Sequence, residues 1–419
     1  VKIVDISEFY SPTGGGVRHY VDQKFIAAER HGHSLTVIAP GPKNHVETRN
    51  GCKLVWVESP QLPFDRNYHM FWRAPAVWRV LDAEKPDVVE SSTPWRGAWI
   101  AARWQSRATK MLFMHADPIA VYPQTLLARV MTPATIDGLF GWFWSYLRRL
   151  NASFDGCIVA GTWLATRFAN YGLRNLHVVP FGVDTTSFGP GRRDIALRTH
   201  MLAKCGLAPD AALLINIGRH HPEKRVGMAI DAVSKAQQSR PVGLYVVGDG
   251  LIHRHVQVKA ARASHVYVAG QVDDRARLAR MIASADALLH CSTAETFGFV
   301  VAEALCCGTP VIVPAAGGAG DLAAPEYAET YVPGDANSAA RAILCLLERS
   351  RLALSSAALE AGGRRIGDIA GHFERLFSVY EHAVQRKRAK LTNSDRNAMV
   401  GENVWSSARH FGSLHADKT

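Results

Sequence analysis

The chain has 419 residues, 47% hydrophobic and 20% charged, a balance that excludes a disordered, collagen-like or disulfide-scaffold protein and suits two domains of about 200 residues each. Its 48 Lys and Arg exceed its 37 Asp and Glu for a formal charge of +11, which favours anionic partners without choosing among nucleotides, nucleic acid and acidic lipid. Seven cysteines, including adjacent Cys306 and Cys307, form no CxxC pair or metal-ligand spacing, so a reducing cytoplasm with no zinc or disulfide role is expected.

KIVDI at 2–6 reads as a strand at once, so no basic, apolar leader is expected in this sequence. No window reaches the roughly 18 to 20 apolar residues needed to span a bilayer. Short β-branched runs then recur between helical stretches: LTVIA at 35–39, KLVWV at 53–57, DVVE at 87–90, MLFMH at 111–115 and GCIVA at 156–160. After Pro180 the pattern restarts with LLINIG at 213–218, GLYVVG at 243–248, HVYVAG at 265–270, DALLHC at 286–291 and PVIVP at 310–314. Near-continuous apolar strands alternating with helices predict an α/β fold of two Rossmann-like domains facing across a cleft.

The Pro- and Gly-rich PFGVDTTSFGPG after Pro180 places the boundary, giving domains at 1–183 and 184–367 with a hinge between them. Phe373, Leu376, Phe377 and Tyr380 at helical spacing predict a helix over 368–390 that ties the domains and ends in a basic run. The polar, aperiodic stretch 391–419 is expected to be a poorly ordered tail.

Candidate sites follow in chain order. Gly14-Gly15-Gly16 lies between a strand and a helix, where glycines admit a ligand to free helix amides; a plain tight turn explains the triplet equally well. Leu139, Trp142, Phe143, Tyr146, Leu147 and Leu150 share one face of a helix over 137–150, with Phe140 and Trp144 outside it. With Arg148 and Arg149 that face suits an anionic membrane interface, while burial against the sheet explains it as well. Arg219 and Lys224 stand five apart on a loop after a strand, where two cations can clamp a diphosphate; solvated charges at a helix start are the plain alternative.

Glu295 and Glu303 flank a glycine that opens a helix. Carboxylates accept bonds from sugar hydroxyls, and the free amides of Gly298, Phe299 and Val300 would face a phosphate. Spacing alone produces about one such pair by chance. The surrounding strand, helix and CGTPVIVP run give it weight.

Over residues 1–385 the chain resembles glycosyltransferase family 4, retaining nucleotide-sugar transferases of the GT-B fold, through GGGVRHY and His115 in the first half. In the second half the carriers are GRHHPEKR at 218–225, VVGDG at 246–250 and ETFGFVVAEALCCGTPVIVPAAGG at 295–318. The resemblance implies that Arg219 and Lys224 bind the donor diphosphate, Glu303 the ribose and Glu295 the transferred sugar. It places His115 across the cleft, Gly15 and Gly16 near the phosphates and acceptor, and the amides of Gly298, Phe299 and Val300 in the phosphate cradle. His19, His220, His221 and His290 receive no role. The sequence departs from the family pattern at Arg225 and Val226, between Tyr327 and Pro333, and at Asp321, where a small-Pro-Glu pattern is common.

The expectation is therefore a retaining hexosyltransferase, mannosyl or glucosyl, that needs no metal and no cofactor beyond the nucleoside-diphosphate sugar co-substrate. Arg219, Lys224 and the helix amides would stabilise the leaving diphosphate. The expected acceptor is a glycan, lipid or lipid-linked molecule, with peripheral contact to the inner, anionic face of a membrane. An epimerase or phosphorylase on the same fold is the alternative, and a non-catalytic nucleic-acid binder a remoter one.

Overall fold

The structure, a computed structural model, describes residues 1–12, 16–63, 65, 67–127 and 130–411, with the backbone alone over 393–411. Two sheets account for the two runs of apolar strands. The first contains β1 Lys2–Ile6, β2 Ser34–Gly41, β3 His45–Arg49, β4 Cys52–Glu58, β5 Val88–Ser91, β6 Thr109–Met114, β7 Gly156–Val159 and β8 Leu176–Val178. Their order is β3-β4-β2-β1-β5-β6-β7-β8, parallel except for β3 against β4. The second contains β9 Ala212–Ile217, β10 Val242–Val247, β11 Val266–Val268, β12 Ala287–Leu289, β13 Val311–Pro314 and β14 Ala328–Tyr331. It runs β11-β10-β9-β12-β13-β14, parallel throughout. Every residue of β6, β7, β10 and β13 is buried, as parallel strands covered by helices on both faces require.

One apolar cluster runs without a break from Ile3 and Phe113 in the first sheet, through Phe181 and Val183, to Phe297 and Phe373. The halves therefore share buried surface. The last helix, Ile369–Phe411, returns to the first sheet. Its Tyr380 donates to Glu90, its Lys387 Nζ lies 2.7 Å from Asp155 Oδ2, and its Arg388 Nη2 lies 2.7 Å from Asp87 Oδ1. Beneath it the fully buried Lys24 bonds Asp5 at 2.8 Å and Glu90 at 2.6 Å.

Two expectations are corrected. The final helix does not stop at 390 but continues to Phe411, because 391–411 contains no proline and a single glycine, Gly401, so nothing in its backbone chemistry ends the helix. Residues 412–419, the rest of the expected tail, lie outside the described residues. The aromatic stretch is two helices, Pro133–Leu139 and Gly141–Asn151, joined at Phe140. That break changes the helical phase. Trp144, expected off the apolar face, is buried and stacks on Tyr171 at 3.8 Å, whereas Trp142 and Leu139 are 66% and 57% exposed.

Candidate active site

The polypeptide beyond β6 and the loop beyond β12 meet across the two halves. Thr296 Oγ1 donates to the carbonyl of His115 at 2.8 Å. Immediately before Thr296, Glu295 accepts a bond from Lys224 Nζ, so the loops after β9 and β12 are joined at the same place. Burial pushes the Glu295 carboxyl up, but Lys224, His290 and Arg219 together hold it below the ordinary carboxylate range. It is charged at neutral pH and aimed at a cation.

His115 stacks on Phe113 at 4.0 Å and meets Tyr20 edge-on at 5.2 Å. Tyr20 belongs to the helix Gly16–Arg30, and its hydroxyl lies 3.0 Å from His372 Nε2. Burial among these rings pushes the imidazole down to about 3, so His115 is neutral and can give or take a hydrogen bond without carrying charge. Gly16 opens the helix and is exposed, whereas Gly14 and Gly15 lie outside the described residues.

The loop between β12 and the helix Phe299–Cys306 is shaped by two close approaches. Gly298 caps that helix at φ +89°, a left-handed conformation suited to glycine. Gly318 lies under the loop: a Cβ there would be 2.3 Å from the carbonyl carbon of Thr296 and 2.4 Å from the nitrogen of Phe297. Its own nitrogen donates to Glu295 O at 2.6 Å. Gly298 O accepts from Val301 and Ala302 at 2.9 and 3.0 Å, which leaves the preceding amides of Phe299 and Val300 at the open end of the helix.

The remaining expected residues are placed less centrally. Arg219 is 82% exposed, with Glu223 3.8 Å away as its acidic partner, and projects from the loop that Lys224 closes. Glu303 lies farther along the Phe299–Cys306 helix beside Arg275, at 3.3 Å. Burial pushes its carboxyl up to about 7 against the lowering pull of Arg275.

Four residues receive no role in the sequence reading. Thr296 and Asp321 both bridge the halves, Asp321 by accepting Trp163 N at 2.6 Å at the start of the helix Thr162–Asn170. His290, buried with Nε2 unbonded, stands 3.8 Å from Glu295, and burial lowers it to about 4. Arg275 reaches Glu303 from a separate helix. In the sequence the only available signals were Thr296 beside Glu295 and Asp321 at a departure from the family pattern; His290 and Arg275 gave none.

Comparison with known proteins agrees with this architecture. The family model described as Glycosyltransferase Family 4 matches residues 14–187, and that described as Glycosyl transferases group 1 matches 211–349. A GDP-mannose-dependent alpha-(1-6)-phosphatidylinositol dimannoside mannosyltransferase of Mycobacterium tuberculosis is 27% identical over 317 residues, 75% of this chain and 79% of its own length. A GDP-mannose-dependent alpha-mannosyltransferase of Mycolicibacterium smegmatis is 28% identical over 78% of this chain and 82% of its own. Among solved structures, sucrose-phosphate synthase from Thermosynechococcus elongatus superposes with a TM-score of 0.70 at 20% identity, covering 91% of this chain and 99% of that one. HepE of Anabaena, in complex with UDP, gives 0.69 at 19% identity, covering 91% and 100%.

Proposed function

As the chain belongs to glycosyltransferase family 4 and is a nucleotide-sugar hexosyltransferase of the GT-B fold, we propose that it moves a mannosyl unit from GDP-mannose to a glycan or lipid-linked hydroxyl. The observation that carries this reading is the bond from Thr296 to the His115 carbonyl, because it joins the backbone of His115 in one half to the residue next to Glu295, the partner of Lys224, in the other. Mannose is preferred over glucose because the mannosyltransferases align over three quarters of the chain, whereas likeness to the UDP-bound protein is one of fold alone.

In this reading residues 184–367 hold the donor and residues 1–183 the acceptor. Arg219, Lys224 and the amides of Phe299 and Val300 take the charge that grows on the diphosphate as the glycosidic bond breaks. Glu295 accepts hydroxyls of the transferred sugar, Glu303 those of the ribose, and the neutral His115 bonds the sugar from the opposite wall. Gly16, which opens the first helix, lies by the phosphates and acceptor. Retention of the anomeric configuration is what the family resemblance implies; with no carboxylate assigned as a nucleophile, it would proceed by departure and attack on one face, a donor phosphate oxygen taking the acceptor proton. Cationic side chains and helix amides fill the part a metal would otherwise play.

Among the described residues no helix is long and apolar enough to cross a membrane. We propose peripheral contact with an anionic inner leaflet through exposed Trp142, Leu139 and Leu126, with Arg149 nearby in sequence, which suits a lipid-linked acceptor. Sedimentation with anionic vesicles at low salt tests it; failure to sediment would remove the contact.

The principal experiment offers the full chain GDP-, UDP- and ADP-hexoses in EDTA. Release of GDP from GDP-mannose, lost in Arg219→Ala, is expected, with an α-anomeric product by NMR. Turnover of UDP-glucose instead would overturn the donor, turnover that needs added Mg²⁺ would overturn metal independence, and a β-product would overturn retention.

A further inference from the structure

Glu303 does not stand alone. Arg275, first residue of the helix Arg275–Ser284, places Nη2 3.3 Å from Glu303 Oε1 and Nε 3.7 Å from Asp184 Oδ2. Its guanidinium carbon lies 4.9 Å from the centre of the Phe188 ring. Asp184 and Phe188 belong to the stretch that joins the two halves between β8 and the helix Ile195–Lys204. One cation thus bridges a carboxylate of the donor half and a carboxylate of the linker, over an aromatic face that fixes the plane of the fork.

We propose that Arg275 is a positioning residue for the donor site, anchoring Glu303 in its hydroxyl-accepting orientation and tying that carboxylate to the interdomain linker through Asp184. The inference rests on the reading of Glu303 as the ribose acceptor. Arg275 touches no reacting atom in that scheme.

The charges around Glu303 explain why an anchor is needed. Burial pushes its carboxyl up to about 7, Asp184 pushes the same way, and Arg275 opposes both. Asp184 stays ionised, because despite burial the bonds from Thr186 and Ser187 hold it down at about 2. The remaining titratable neighbours are Cys306, last residue of the same helix, and Cys307, which caps it, whose thiols burial pushes up to about 11 and about 12, with Arg192 acting on Cys307. None of these thiols carries charge at neutral pH. Arg275 is therefore the group that favours the ionised form of Glu303, the form that accepts two hydroxyl bonds.

Without Arg275 the carboxyl titrates at higher pH, and nucleotide binding weakens over the range in which it has become protonated. The test measures GDP affinity of the full chain by calorimetry from pH 6 to 9 for wild type, Arg275→Gln, Arg275→Lys and Glu303→Gln. The ratio of variant to wild type at each pH cancels the titration of GDP itself. Arg275→Gln is expected to bind about fivefold more weakly at pH 7 and about tenfold at pH 6, for a shift of about one pH unit, and to approach wild type at pH 9, with Arg275→Lys restoring part of the loss. Glu303→Gln is expected to bind weakly with an affinity that lacks the wild-type fall near pH 7. An Arg275→Gln deficit that is constant across pH, or no deficit, would overturn the inference while leaving the ribose reading intact. Wild-type affinity in Glu303→Gln, or a wild-type chain that binds no GDP, would overturn the donor reading and the inference with it.

Discussion

Thr296 reaches out of the second half and donates its hydroxyl to the main-chain carbonyl of His115 in the first, 2.8 Å away. The contact has two consequences. It fixes the backbone that presents the His115 ring, and it does so from the residue adjacent to Glu295, so the two walls of the cleft share one local geometry. His115 itself is neutral because burial among Phe113, Tyr20 and Phe181 lowers its basicity to about 3.

Thr296→Val keeps the volume and β-branching and deletes that single donor. A typical net hydrogen bond contributes about 1 kcal/mol. The variant is expected to lose about fivefold in kcat/KM with a melting temperature close to wild type. Steady-state kinetics beside a thermal melt checks this, and a loss of stability without a kinetic effect would mean that the bond serves folding rather than alignment of the walls.

Glu295→Gln removes the charge that Lys224 faces and leaves an ammonium partly buried with a weaker acceptor. Loss of at least about a hundredfold in kcat is expected, on the scale of removing a transition-state contact. The pH sign is definite. Because the folded carboxyl is held below its ordinary 4.5, the stability it contributes is complete above that value and is lost as pH falls through the lower folded value. Acid unfolding followed by circular dichroism should therefore be less steep in Glu295→Gln below pH 4.5, and identical acid profiles would contradict the assignment of that pair.

Much of this was legible before the structure. The apolar runs at 111–115, 243–248 and 310–314 fall on β6, β10 and β13, because strands buried on both faces must be continuously apolar. β3, His45–Arg49, was invisible because its polar side chains alternate between half-buried and exposed at a sheet edge. β8 and β14 were missed because they too lie at sheet edges, β8 nowhere buried and β14 buried only at its two ends, so neither reads as a continuous apolar run. The site divides along the same line. Glu295, Lys224 and Gly298 sit in motifs whose local order implies their geometry, whereas Arg275 meets Glu303 only because two helices 28 residues apart in sequence pack side by side. Trp144 was misplaced because helical phase was carried through Phe140, where the chain breaks.

Gly318→Ala tests the loop that carries Glu295. The added methyl would sit 2.3 Å from backbone carbon of Thr296, and backbone cannot yield as a flexible side-chain tip can. Overpacking of this kind costs about 1 to 3 kcal/mol. The melting temperature should fall by several degrees and donor binding should weaken together with it, because the atoms displaced are those between Glu295 and Gly298. A variant that melts as wild type and binds donor normally would show that the loop repacks freely.

Asp321 makes a different bridge, and its chemistry allows a graded test. The helix Thr162–Asn170 starts at Gly161, whose own side chain can cap nothing, and the amide of Trp163 is taken instead by Asp321 Oδ2 from the other half at 2.6 Å. A helix cap contributes about 1 kcal/mol when its acceptor comes from the same segment. Here the bond forms only when the halves are together, so its free energy adds to their closure as well as to the helix. Asp321→Ala is expected to expose the Trp163 amide to hydrogen exchange and to raise the donor KM severalfold, while Asp321→Asn, which keeps an acceptor oxygen, restores most of both. Equal effects of Ala and Asn would assign the contribution to the charge at the helix end. No effect of Ala on exchange at Trp163 would remove Asp321 from the closure of the cleft.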